Sequence, residues 1–156
     1  MIAYQLRPDS RGEIKLRSAN PADPPAVHPN YLSAETDRQT IVAGLKLCRL
    51  LLAQPALAQF TESEYLPGAA VQSDAELLDF ARKRGGTVYH PTSTCKMGID
   101  AMAVVDPDLR VRGVMGLRVA DASIMPTVVS GNTNAATIMI GERCADLLRQ
   151  ELRMAA

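Results

Sequence analysis

The sequence predicts an α+β protein, with an antiparallel β-sheet and about three long helices packed on it. Three observations favour this class. Two segments, residues 41–52 and 136–147, repeat apolar side chains every three or four positions, as amphipathic helices do. A third helix is marked by a capping sequence at Ser73. Short apolar runs between turns rich in Pro, Gly and Asp are typical of antiparallel strands.

The first 30 residues predict a hairpin followed by a connector. Residues 4–16 place two short apolar runs on either side of a turn-forming stretch, residues 8–12, so we expect a β-hairpin. Residues 20–30 include four prolines. Proline has no amide proton for a helix or sheet, so this stretch is expected to be an extended connector.

Two helices are predicted next. Ser33 is the expected N-cap of the first, and Pro55 ends it. Its apolar stripe is Ile41, Leu45, Cys48 and Leu52. The second follows a loop at residues 65–70 and starts with a capping box, in which Ser73 and Glu76 each bond the other's backbone amide. Gly85 and Gly86 end this helix.

The remaining elements surround a histidine. Residues 87–89 are predicted to form a short strand that ends at His90, and residues 103–120 to form short strands around a turn at 106–108. The last helix is expected from Asn132 or Thr133 to about Leu152. Its buried stripe is Ala136, Ile140, Cys144 and Leu147.

Composition excludes several classes of function. The chain has 17 basic and 17 acidic residues, whereas a nucleic-acid partner calls for a basic excess. No apolar run is long enough for a transmembrane segment, and no signal peptide is expected. Three cysteines without metal-ligand spacing predict neither a disulfide framework nor a metal site. We therefore expect a cytoplasmic protein, with peripheral membrane association left open.

His90 is the more informative of the two histidines. It would stand at a strand end and begin a polar loop, a position that suits a general base because imidazole titrates near neutral pH. Taken alone, the position fits a hydrogen-bonded structural histidine better than a catalytic one.

The stretch from Ser130 to Asn134 places polar residues and a glycine just before the last helix. A helix N-terminus offers unpaired amides and the positive end of the helix dipole, which suit an anion or an electron-rich ring. Simple N-capping by Asn132, Thr133 or Asn134 is the commoner interpretation of such a stretch.

A hydrolase is a weaker alternative. Ser93 or Ser130 could act with His90 as nucleophile and base, but the chain has no GxSxG elbow. It also has no GxGxxG, P-loop or HExxH sequence.

The order of motifs along the second half identifies a family. The chain resembles the C-terminal part of the glucose–methanol–choline (GMC) flavoprotein oxidoreductases, and most closely their choline and alcohol dehydrogenase branch. The motifs are His90-Pro91, Cys-Lys-Met-Gly at 95–98, Val-Asp-Pro at 105–107, Leu-Arg-Val-Ala-Asp-Ala-Ser-Ile-Met-Pro at 117–126, and Gly-Asn-Thr-Asn-Ala at 131–135.

The resemblance implies an activity and a site. Such enzymes oxidise the CH–OH group of an alcohol with FAD, by hydride transfer to the flavin. His90 matches the active-site histidine, either a base for the hydroxyl proton or a hydrogen-bonding stabiliser of the alkoxide, and Asn132 matches its partner near the substrate oxygen. Four residues match positions that contact the flavin: Asp121, Ala122, Asn134 and Ala135.

The resemblance also implies a domain layout. Residues 1–86 correspond mainly to the substrate domain, and residues 87–156 to the active-site and FAD-contacting segment. The GxGxxG part that binds the ADP half of FAD is absent. We therefore expect a C-terminal fragment that is inactive alone and works with the missing N-terminal part on a small-molecule alcohol. The alternative is a stand-alone, non-enzymatic interaction or complementing module without FAD.

Overall fold

A computed structural model describes residues 1–155 and divides into two compact units, Met1–Thr87 and the residues from Val88 onward. The predicted α+β class is confirmed, because helices predominate beside one antiparallel strand pair. The elements are β1 (Glu13–Lys15), β2 (Ala26–His28), α1 (Glu35–Leu52), α2 (Pro55–Ala58), α3 (Asp74–Arg84), a 3₁₀ turn (Ala122–Ile124) and α4 (Asn134–Ala155).

The strand pair differs from the predicted hairpin. β1 pairs with β2, with Ile14 opposite Val27, so the hairpin across residues 8–12 is wrong. Part of the expected connector is instead the second strand. Gly12 explains the pairing, because a Cβ atom there would lie 2.4 Å from the His28 carbonyl oxygen. This glycine permits close approach of two backbones rather than a tight turn.

The first helix is anchored from the N-terminal segment. α1 begins one residue later than a Ser33 cap requires, with Ala34 at the N-cap position and no side-chain cap bond. The Ala34 amide instead donates to Oγ of Ser10, at 3.1 Å. The predicted Ser33 cap is therefore wrong, because the helix begins at Glu35 and Ala34 occupies the N-cap position.

The α3 helix starts as predicted. The Glu76 amide donates to Ser73 Oγ, and the Ser73 amide donates to the Glu76 carboxylate, which completes the capping box. α3 packs on α1, and Leu77 is fully buried. Within Met1–Thr87 the long helices therefore pack on each other and not on the strand pair, because the two three-residue strands expose every side chain but one.

The second unit has less regular strand structure than predicted. Residues 87–89 are not a strand: Tyr89 has φ of 61°, in the left-handed region that no strand contains. The segment 103–120 forms isolated bridges rather than strands, between Met97 and Val105, Val105 and Val111, and Arg110 and Arg118.

The helix α4 closes the core of the second unit. The predicted stripe is confirmed, since Ile140, Cys144 and Leu147 are buried and Ala136 packs against them. They meet Val105, Leu109, Ile124 and Met125 from the bridged segment and the 3₁₀ turn. In the described residues, no helix is both long and apolar enough to cross a membrane.

Candidate active site

His90 lies on a loop that is bonded to the 3₁₀ turn. The Cys95 amide donates to the Ser123 carbonyl at 2.9 Å, and the Met97 amide donates to the Ile124 carbonyl at 2.7 Å. The side chain of Asp121 accepts from the Ser123 amide and caps the turn. The half-buried His90 ring therefore stands at the start of a loop whose far end is fixed to the core.

The His90 ring is held by a threonine at the start of α4. Nδ1 of His90 lies 3.0 Å from Oγ1 of Thr133, and Thr133 is 8% exposed. The Thr133 carbonyl accepts from both the amide and the hydroxyl of Thr137, at 2.9 and 2.8 Å. The helix thus fixes the threonine, and the threonine engages one of the two ring nitrogens.

Thr133 is a residue that sequence reasoning missed in this role. Its place before a helix predicts only a capping function, whereas its hydroxyl bonds His90. The two residues are 43 positions apart, so no local pattern in the sequence could have indicated the contact.

The predicted partner Asn132 is the chain neighbour of Thr133. It is exposed, at the end of a tight segment in which the Gly131 amide donates to the Val129 carbonyl at 2.8 Å. Because Thr133 reaches His90 directly, the backbone holds Asn132 next to the residue that contacts the histidine. His90 contacts Thr133, and Asn132 directly precedes Thr133 in the chain; a role of Asn132 beside His90 stays a prediction.

The four residues expected to contact a flavin lie on two elements of this same unit. Asp121 and Ala122 begin the 3₁₀ turn, and Asn134 and Ala135 begin α4. The 3₁₀ turn packs against α4. Asn134 and Ala135 are exposed, as is Asp121, whereas Ala122 is half-buried.

The opposite end of α4 is fixed by an ion cluster. The Glu151 carboxylate accepts hydrogen bonds from Arg118 and Arg110, which hold its pKa down, at about 2. Arg118 also donates to the Asp108 carbonyl at 3.1 Å. These contacts attach the last turns of α4 to residues 108–118, so the helix that follows Thr133 is also held at its far end.

The geometry supports neither a Ser93–His90 nucleophile pair nor a metal site in the described residues. Ser93 Oγ lies 3.1 Å from Thr92 Oγ1 and bonds that hydroxyl rather than His90. Across residues 1–155, His, Cys, Asp and Glu side chains form no cluster that could hold a metal ion. The site thus consists of an imidazole that is hydrogen-bonded at Nδ1 and lies close to the N-terminus of α4.

Comparison with known proteins gives a consistent picture. Residues 8–141 match the family model for the C-terminal part of GMC oxidoreductases. The chain is 50% identical over 151 residues to an alcohol dehydrogenase [acceptor] of Pseudomonas putida, covering 97% of the chain and 27% of that protein. It is 53% identical over 154 residues to the mitochondrial choline dehydrogenase of Homo sapiens, covering 94% of the chain and 26% of that protein.

The fold is also similar to a solved structure. An FAD-dependent oxidoreductase from Chaetomium thermophilum superposes with a TM-score of 0.89 at 33% identity, covering 96% of this chain and 26% of that one. The chain thus spans about a quarter of the length of the relatives it matches.

Proposed function

The chain belongs to the GMC oxidoreductase family, and we propose that it is the C-terminal part of an FAD-dependent oxidoreductase that oxidises the CH–OH group of an alcohol such as choline. The observation that carries the proposal is the constellation of His90, Thr133 and Asn132 at the start of α4. The relatives named above are an alcohol dehydrogenase and a choline dehydrogenase, which supports the choice of substrate class.

His90 is the proposed proton acceptor. Oxidation of an alcohol to a carbonyl removes a hydride from carbon and a proton from oxygen, and an imidazole beside the hydroxyl can take that proton. A lone pair of Nε2 forms the new N–H bond, and the electron pair of the broken O–H bond stays on the substrate oxygen. The anchored ring favours this step because a fixed base needs little reorganisation.

Asn132 is the proposed second contact to the substrate oxygen. Its side-chain amide carries two N–H donors, which suit an oxygen that gains negative charge as its proton leaves. The backbone keeps it beside Thr133 and hence close to the loop of His90. An asparagine adds no charge of its own to the site.

The donor set at the start of α4 fits an electron-rich ring or a phosphate. The first helical bond runs from the Thr137 amide to the Thr133 carbonyl, so the preceding amides have no partner within the helix. In the described residues, the Thr133 hydroxyl bonds His90 instead of capping one of these amides. A Cβ atom added at Gly131 would meet no other atom within 4 Å, so nothing packs against the chain at this point before the helix.

We therefore assign Asp121, Ala122, Asn134 and Ala135 as the residues of this chain that would contact FAD. The amides of Asn134 and Ala135, at the positive end of the dipole of α4, would face negative charge. When bound, the flavin supplies the acceptor for the hydride. The GxGxxG part that holds its ADP half would come from outside these residues.

The alcohol itself is recognised only in part by this chain. A quaternary ammonium such as choline calls for an aromatic cage, and the chain offers four Tyr, two Phe and no Trp. Choline is thus one candidate within the proposed substrate class, and an aliphatic alcohol is the second candidate to test as a substrate.

The proposal is tested on the endogenous polypeptide captured from source cells with an antibody to these residues. We expect an intact mass well above that of 156 residues, an N-terminal GxGxxG peptide, one bound FAD, and anaerobic bleaching of the flavin by choline or an aliphatic alcohol. A polypeptide of these residues alone, without flavin or a flavin-carrying partner, would instead support a non-enzymatic module.

A further inference from the structure

We propose that Thr133 is a positioning residue: its hydroxyl accepts a hydrogen bond from Nδ1–H of His90 and so leaves Nε2 as the ring nitrogen that exchanges a proton with the alcohol. The inference rests on the proposed function for the identity of the reaction. The pairing itself rests on geometry, a 3.0 Å separation between Nδ1 and Oγ1 at a threonine that is 8% exposed.

The two ring nitrogens are not equivalent in this arrangement. Neutral imidazole carries one proton, and the nitrogen without it is the one that acts as a base. Nδ1 faces the hydroxyl of buried Thr133, just before α4, which excludes a substrate from that side of the ring. The base must therefore be Nε2, and this requires the resting proton on Nδ1.

A hydroxyl suits this task better than a carboxylate or an apolar group. Its oxygen accepts from Nδ1–H in the neutral ring and equally in the imidazolium, so the bond persists while Nε2 gains and loses a proton. The bond to Thr133 thus orients the ring without adding a charge to the site.

The threonine is itself held in place. Thr137 donates twice to its carbonyl, and Glu151 ties the far end of α4 to Arg118. On the loop of His90, Lys96 pairs with Asp100, and Asp121 caps the 3₁₀ turn, so these charged groups have partners of their own. The orientation of the ring is therefore assigned to Thr133.

The first test reads the tautomer directly, in the purified native protein with nitrogen-15-labelled histidine. A His90→Gln variant assigns the signals. At a pH of about 9, above the ordinary titration range of histidine, we expect a protonated Nδ1 and an unprotonated Nε2 for His90. Thr133→Val should abolish this preference, and Thr133→Ser should restore it. A proton on Nε2 in the native protein, or a Val variant identical to it, would overturn the proposal.

The second test uses turnover, with folding checked by the melting temperature. The Val variant should lower kcat about tenfold, as expected for loss of one orienting hydrogen bond, with KM little changed, and the Ser variant should recover most of it. Equal loss in the Val and Ser variants would contradict positioning by the hydroxyl. If the tautomer behaves as expected but His90→Gln leaves turnover intact, the proposed function fails and the pairing stands.

Discussion

Nδ1 of His90 and Oγ1 of Thr133 are 3.0 Å apart although 43 positions separate the two residues in the chain. The bond joins the start of a polar loop to the residue that directly precedes the longest helix. From the sequence alone, His90 could be either structural or catalytic. The bond orients its imidazole beside a helix N-terminus. Asn132, Asn134 and Ala135 flank the same threonine, so the proposed substrate and flavin contacts share one anchor.

Asn132 should matter through the donors of its side-chain amide. In the native enzyme, Asn132→Ala should lower kcat/KM for the alcohol roughly 100-fold, the usual cost of removing one donor to a developing oxyanion. Asn132→Asp should lose more, because it places a negative charge beside the oxygen that becomes negative. Steady-state kinetics at equal flavin content measure both. An Asp variant as active as the native enzyme would remove Asn132 from the site.

Asp37 should stabilise the N-terminal segment. Its carboxylate is 3% exposed and accepts from the amides of Asp9 and Ser10, at 2.9 and 2.7 Å. Asp37→Ala would leave both donors without their acceptor, so we expect a loss of about 1–3 kcal/mol in the free energy of unfolding. Urea denaturation measures the loss. The exposed Asp79→Asn, which breaks only a surface pair with Lys83, should change it little.

The contribution of Asp37 also has a defined pH dependence. Burial raises the pKa of its carboxyl, but the hydrogen bonds from Ser10 and Asp9 outweigh burial and hold the pKa below its ordinary value of 3.8. The stabilisation is therefore complete above that value and is lost as pH falls through the lower value of the folded state. The difference in stability between the native and Ala proteins should shrink in acid. A difference that grows in acid would contradict this assignment.

The contribution of Glu151, near the end of α4, to stability should also decrease in acid, as that of Asp37 does. Hydrogen bonds from Arg118 and then Arg110 lower its pKa to about 2 from 4.5 in the unfolded chain. Its contribution is therefore full above pH 4.5 and fades between that value and about 2. Glu151→Gln should lower Tm slightly at neutral pH, and salt should reduce the difference. Glu142→Gln, exposed on the same helix, is the control. Equal effects of the two substitutions would argue against the cluster.

Gly12 should tolerate no side chain. A Cβ atom there would lie 2.4 Å from the carbonyl oxygen of His28 and 2.8 Å from that of Pro29. Gly12→Ala should therefore force β1 and β2 apart and cost about 1–3 kcal/mol, as overpacking typically does. Gly86→Ala is the matched control, because its Cβ would meet no other atom within 4 Å. Urea unfolding that ranks the two variants equally would show that close approach is not the reason for Gly12.

Local features of the fold were predictable because their partners are close in sequence. The bonds between Ser73 and Glu76 span three residues, so the capping box could be identified from four letters. The stripe of α4 follows from helical periodicity alone, and Ile140, Cys144 and Leu147 are buried as expected. Such features depend on geometry within one or two helical turns.

Features that depend on distant partners were not predictable. β1 pairs across a proline-rich stretch with β2, and the amide of Ala34, the N-cap residue of α1, donates to Ser10, 24 positions earlier. The strand expected before His90 fails because Tyr89 adopts a left-handed conformation that its residue type disfavours. The contact with Thr133 belongs to the same class, since only the folded chain brings it to the histidine.

The most direct test of the account is the rate at which an alcohol reduces the flavin of the native enzyme and of its His90→Gln variant, followed anaerobically by flavin absorbance. We predict a rate lower by a factor of about 100–10,000 in the variant, the usual contribution of a positioned proton acceptor, with flavin content and Tm unchanged. A variant that reduces its flavin at the native rate would contradict the role of His90, and with it the proposed use of this site.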